Sequence, residues 1–264
     1  MSTATFPQVG RRPVAPAGAA STTAPDGHAA PLAGLSIVLP CFNEEDNVVE
    51  AVRAAQLAGS RSALAHEVIV VDDGSSDRTR ERALALAESD PTVRLIVHDG
   101  NRGYGAAVRS GIAAAGRPWT LLTDADLQFD LTQIEDFLPF AADHDLIVGR
   151  RVMRMDPFGR RAAAAAWNRL VRAVFGLPVA DVDCAFKLVR TELVADLPLT
   201  ADGAMISTEL LVRCLERGAR IKQLPVRHRP RVAGAQSGTN PRVVMRAFRE
   251  LFSARRDLGR LHRA

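Results

Sequence analysis

From Leu35 onward, short runs of Val, Ile and Leu alternate with longer stretches whose apolar residues recur at helical spacing. Runs that are apolar on both faces fit the strands of a mostly parallel sheet covered by helices on each side. They predict strands at Leu35–Pro40, Glu67–Asp72, Val93–Val97, Trp119–Thr123 and Asp145–Gly149. Helices are predicted between them at Glu44–Leu57, Asp77–Ser89, Gly103–Ala115 and Leu131–Ala142. After Arg150 the rhythm changes to a basic helix from Arg160 to Phe175, a strand at Cys184–Leu188, a helix from Met205 to Arg217 and a strand from Arg220 to Val226. The order predicts an α/β fold in one domain without internal repeats.

The ends of the chain read differently. Residues 1–32 are rich in Ala, Pro, Ser and Thr and nearly free of large hydrophobes, which predicts a disordered tail. The folded domain is expected over 33–235. Residues 236–264 are read as a Gly/Ser loop and a basic helix starting at Pro241. In that helix Val244, Phe248, Leu251 and Phe252 share a face and arginines flank them, so it could rest on an anionic membrane surface. Arg11 and Arg12 precede no apolar core, so no signal peptide is expected, and no run approaches the roughly 18–20 apolar residues of a spanning helix. Three scattered cysteines (Cys41, Cys184, Cys214) argue against a disulfide scaffold and for a reducing, cytoplasmic setting.

Charge changes the picture only slightly. The formal net charge is +4, yet of 34 basic residues only Lys187 and Lys222 are lysines. Arginine forks grip phosphate oxygens in pairs, which a lysine point charge does not. With one Tyr and two Trp, the chain lacks the stacking platforms of a nucleic-acid binder, and none is expected as a partner.

Ligands of open parallel sheets bind at the carboxyl ends of the strands. There the sequence reads Pro40-Cys-Phe-Asn-Glu44, Asp72-Asp-Gly-Ser-Ser-Asp77, Asn101-Arg-Gly-Tyr-Gly105, Asp124-Ala-Asp-Leu-Gln128 and Gly149-Arg-Arg151. Any one of these has an ordinary explanation: Asp77 could cap a helix, and Asp72-Asp-Gly could be a turn. Four in register point to a ligand edge. In an extended segment Asp124, Asp126 and Gln128 would share a face, an all-oxygen set suited to Mg²⁺ or Mn²⁺ rather than zinc.

The segments Val71–Asp77, Asn101–Ile112 and Asp124–Gln128 resemble those of the glycosyltransferase family 2 proteins of the GT-A fold. With Gly149-Arg150 and Asp181–Leu188, the chain is similar to the dolichol-phosphate mannosyltransferase branch, over about residues 33 to 235. The resemblance implies an inverting, metal-dependent transfer of a hexose from a GDP or UDP sugar to a polyprenyl or dolichyl phosphate at the membrane surface. Pro40, Phe42, Glu44, Val71 and Asp73 match positions around the nucleotide base and ribose. Asp124, Ala125, Asp126 and Gln128 match the segment that holds the metal and the diphosphate. Arg150 and Arg160 (or Arg161, one position on) match basic residues near the transferring phosphates, and Arg231 matches one before a loop over the nucleotide. Asp126, Arg150 and Arg160 are thus the expected catalytic group. A homo-oligomer is compatible with this reading.

A phosphate monoester is largely dianionic at neutral pH and attacks without a general base, whereas a hydroxyl acceptor needs one. Asp181, Asp183 and Glu209 are the candidate bases for that alternative, an enzyme of the same fold acting in polysaccharide, cell-wall or natural-product synthesis. A non-catalytic nucleotide-sugar binder is the alternative of another class, and the intact Asp124–Gln128 motif speaks against it.

Overall fold

A computed structural model describes residues 29–152 and 158–230, the first six of the latter by backbone alone. Seven strands, β1 (Leu35–Cys41), β2 (His66–Asp72), β3 (Val93–Val97), β4 (Trp119–Leu122), β5 (Leu146–Val152), β6 (Lys187–Arg190) and β7 (Ile221–Arg227), form one sheet. Their spatial order is β3-β2-β1-β4-β6-β5-β7. β1 to β4 are parallel, and β6 runs antiparallel to both β4 and β5. Two reversals leave β5, and its parallel partner β7, pointing the same way as β4. Six carboxyl ends therefore meet on one edge.

The helices are α1 (Val48–Ser62), α2 (Thr79–Ser89), α3 (Tyr104–Ala114), α4 (Phe158–Phe175), α5 (Thr191–Val194) and α6 (Ile206–Glu216). Side chains along each strand alternate between two cores. Leu35, Ile37 and Leu39 face α1 and α2, while Val38, Ile69 and Val71 face α3, α4 and α6. α3 lies so close to β1 that a Cβ on Gly111 would come within 2.2 Å of Val38. Any larger residue there would push the helix off the sheet.

Every strand read from the sequence is present, and the differences have local causes. The helix expected at Glu44–Leu57 is α1, displaced by one turn. Residues 44–47 form a turn, with the Asn47 amide donating to the Glu44 carbonyl, and the helix continues past Gly59, which gives room to the His66 ring. The helix expected at Leu131–Ala142 is two 3-10 turns, Leu131–Asp136 and Leu138–Phe140, because Pro139 cannot continue an α-helix. β6 starts at Lys187 rather than Cys184, as the Lys187 ammonium donates to the Cys184 carbonyl. The tail before residue 29, Arg231, and the loop and basic helix over 236–264 lie outside the described residues, as do the side chains of Arg160 and Arg161.

Candidate active site

The loops after β1 and β2 brace one another. Asn43, held at φ 55°, accepts from the Ser76 amide (2.8 Å), and its own amide donates to the Ser75 hydroxyl (2.9 Å). The Glu44 amide donates to the Thr79 hydroxyl (2.8 Å) and that of Glu45 to Asp77 (3.1 Å). Asp77 also accepts from the Thr79 amide at the start of α2, so its role is structural. Between these braces Phe42 stands 45% exposed on the edge, with Pro40 and Glu44 half-buried beside it. Val71 is fully buried in the α3-side core, so its side chain is removed from the edge.

Asp73 is also buried, and both its oxygens are engaged. Oδ1 accepts from the Arg102 amide and contacts His98 Nδ1 at 2.7 Å, and Oδ2 accepts from the Gly103 amide. His98 Nε2 lies 2.9 Å from the Ser110 hydroxyl. This chain pins the segment that presents Tyr104.

The Asp124–Gln128 segment is a bend rather than an extended strand, because Leu127 sits at φ 60°, a conformation that leucine rarely adopts. Period-two alternation is therefore lost, and Asp126 Oδ1 instead accepts from the Gln128 amide (3.1 Å). The Gln128 side-chain nitrogen donates to the Arg229 carbonyl (3.0 Å), and the Arg229 amide donates to the Gln128 carbonyl (2.8 Å). Ala125 and Asp126 are buried and Asp124 and Gln128 half-buried. Tyr104 hydrogen-bonds to Asp124. Burial nevertheless holds the Asp124 carboxyl above its usual range, against the pull of Tyr104, Arg151 and Lys187.

Negative charge is concentrated here. The Cys41 thiol is pushed well above its ordinary pKa by burial and then by Glu44, Asp72, Asp124 and Asp77. Asp72 Oδ2 is buried with no hydrogen-bond partner among the described residues. No three His, Cys, Asp or Glu side chains among those residues form a ready-made metal cage. Two carboxylates and an amide instead fit a hard cation that takes its remaining ligands from water and substrate phosphates.

The other side of the edge is basic. Arg150 is exposed at the end of β5. Arg151 forms a two-pronged pair with Asp181 (2.7 and 2.9 Å) and donates its amide to the same carboxylate. Lys187 is fully buried nearby, with its pKa lowered by desolvation and its ammonium 3.2 Å from the Ser207 hydroxyl. Of the three candidate bases, Asp181 is thus taken by Arg151, and Glu209 accepts from the amides of Thr200 and Ala201. Asp183 keeps a carboxyl raised by burial despite Arg151 and Lys187. The sequence reading gave no role to Tyr104, His98 or Lys187. Two of these carry a compositional mark, Tyr104 as the sole tyrosine and Lys187 as one of two lysines in an arginine-based chain.

The sheet, with its single antiparallel strand, is that of the GT-A fold. The crystal structure of glucosyl-3-phosphoglycerate synthase from Mycobacterium tuberculosis with Mn²⁺, UDP and phosphoglyceric acid superposes with a TM-score of 0.63, at 21% identity, over 83% of this chain and 78% of that one. Within that fold, the chain belongs to glycosyltransferase family 2, since the family described as Glycosyl transferase family 2 matches residues 36–197. Glycosyltransferase AglJ of Haloferax volcanii is 28% identical over 211 residues, 78% of this chain and 66% of that protein. Undecaprenyl-phosphate 4-deoxy-4-formamido-L-arabinose transferase of Pectobacterium carotovorum is 32% identical over 164 residues, 61% of this chain and 50% of that one. The chain thus spans about half to two-thirds of the length of these relatives.

Proposed function

We propose that the protein moves a hexose, with inversion, from a GDP or UDP sugar to a polyprenyl phosphate. One observation carries the reading: the acidic edge at Asp124–Gln128 adjoins the basic end of β5, where Arg150 is exposed and Arg151 is fixed by Asp181. A relative named as an undecaprenyl-phosphate transferase agrees with it. Pro40, Phe42 and Glu44 border the nucleotide in this reading, with Arg231 beyond the described residues, while Asp73, its oxygens held by the Arg102 and Gly103 amides, acts by fixing the loop beside them. Val71 contributes through its backbone.

In the reaction a phosphate oxygen of the acceptor forms a bond to the anomeric carbon as that carbon's bond to the nucleoside diphosphate breaks. The leaving diphosphate takes the bonding electron pair, and no proton need move, because the acceptor is already ionised. Mg²⁺ or Mn²⁺ held by Asp124, Asp126 and Gln128 would supply a Lewis acid for the diphosphate. Arg150 offsets charge on the two phosphates, as would Arg160, whose side chain lies outside the described residues. The acceptor is met at a membrane surface. Among the described residues no helix is long and apolar enough to cross a membrane.

The raised carboxyl of Asp183 favours a second reading, in which it deprotonates a hydroxyl acceptor. Release of nucleoside diphosphate from GDP-mannose and UDP-glucose, with Mg²⁺ and with or without undecaprenyl phosphate, separates the two. The first reading requires lipid-dependent release that falls about a hundredfold or more in Asp126→Ala and survives Asp183→Asn. Release without lipid phosphate, abolished by Asp183→Asn, would replace it with the second.

A further inference from the structure

Beyond the donor edge, a cleft of about 790 Å³ opens between the end of β5 and one face of α4. Ala165, Arg169, Arg172 and Ala173 reach it from that face, because residues three, four and seven apart on a helix lie on one side. Asn168 fixes the wall. Its Nδ2 donates to the Ala164 carbonyl (2.9 Å), and its Oδ1 accepts from the Val182 amide (2.7 Å), beside Asp181.

The charges in the cleft are unequal in kind. Arg151 is neutralised by Asp181. Arg150, Arg169 and Arg172 are exposed, and none pairs with a carboxylate among the described residues. Three guanidinium groups around one hollow repel one another, and an anion would relieve that repulsion. Ala165, Ala173 and the buried Leu177 give the same hollow apolar surface. Guanidinium forks bind phosphate oxygens two at a time, and an apolar wall favours a phosphate carried on an organic group.

We propose that this cleft binds the phosphate of an organic phosphate monoester, with Arg169 and Arg172 as its binding residues outside the donor site. The assignment rests on the reading that the acceptor is a phosphate. It identifies the surface on which that acceptor enters before reaching Arg150.

The test is the double variant Arg169→Gln/Arg172→Gln in the full chain. Both side chains are exposed, and unchanged affinity for UDP and GDP would verify the fold and the donor site. Binding is read by co-flotation with phosphatidylcholine vesicles carrying undecaprenyl phosphate or phosphatidylglycerol, and by calorimetry with glycerol 3-phosphate. The expected result is binding to undecaprenyl-phosphate vesicles that weakens about tenfold or more in the variant, with phosphatidylglycerol binding unchanged. Arginine-dependent binding of glycerol 3-phosphate alone would support the cleft and overturn the lipid acceptor. Transfer to undecaprenyl phosphate with an unaltered KM in the variant would overturn the cleft and leave the proposed reaction standing. No binding of either phosphate, or an equal loss on phosphatidylglycerol vesicles, would also overturn it.

Discussion

A buried carboxylate is tolerated where its oxygens are occupied, and Glu67, at the amino end of β2, meets that condition. Oε1 accepts from the Ser36 hydroxyl (2.7 Å) and the Gly116 amide (2.8 Å), and Oε2 pairs with Arg94 (3.0 Å). Burial alone would raise its pKa, but these partners bring it below the usual value. The folded carboxyl therefore takes up its proton at lower pH than the unfolded one, whose value is about 4.3. Its stabilisation is complete above that pH and fades as pH falls through the folded value. Glu67→Gln should cost about 1–2 kcal/mol at pH 7, with the gap to wild type narrowing near pH 3 in urea titrations. The same accounting separates what could be read from the sequence. Polar residues at and after strand ends marked Asp73, Asp124 and Asp126 as ligand candidates, because strand ends are legible. Nothing local showed that Asp73 would be consumed by the Arg102 and Gly103 amides, or that Glu209 would hold Thr200. Those partners depend on how separate loops meet.

Between elements, the Asp124–Gln128 segment depends on a strand about a hundred residues away. The segment after β7 lies along residues 128–130, where Phe129 and His228 form an antiparallel bridge and stack edge-on at 5.1 Å. Asp130 joins this contact to the following turn, pairing with Arg229 (2.8 Å) and accepting from the Thr132 amide (3.2 Å). The Arg229 pair is exposed and contributes little alone, whereas the cap to Thr132 is worth about 1 kcal/mol. Asp130→Ala should therefore lower stability by about that amount and weaken donor binding more than turnover. A raised KM for the sugar nucleotide with kcat nearly unchanged would express that. Loss of kcat alone would contradict the bracing role. Hydrophobic rhythm located β7 as an element, since an alternation of seven residues is visible in any chain. Its pairing with β5, the reversal of β6 and the left-handed Leu127 follow from long-range packing that no local pattern encodes.

At the scale of the whole molecule, charge is divided by function. Carboxylates that brace the scaffold, such as Glu67, Asp77 and Asp145, are held below their usual range by hydrogen bonds and arginines that outweigh burial. On the ligand edge the balance reverses at Asp124, whose carboxyl burial holds above its usual range, and Asp72 keeps a buried oxygen without a partner among the described residues. If this edge holds the proposed cation and diphosphate, it opposes folding until they fill it. Removing one of its charges should therefore stabilise the free protein while disabling it. Asp124→Asn retains an acceptor for Tyr104, so the packing is kept while one negative charge is lost. Its melting temperature without ligands should rise by about 2–4 °C, equivalent to roughly 1 kcal/mol in a domain of this size. Wild type should gain more than that on addition of Mn²⁺ with UDP or GDP, since ligand at a hundred times Kd adds about 2.7 kcal/mol. The variant should lose most of this gain. Differential scanning fluorimetry of both proteins, with and without the metal and nucleotide, reads both effects. A variant that melts below wild type without ligands, or that keeps the full ligand response, would show that Asp124 serves the scaffold rather than the donor.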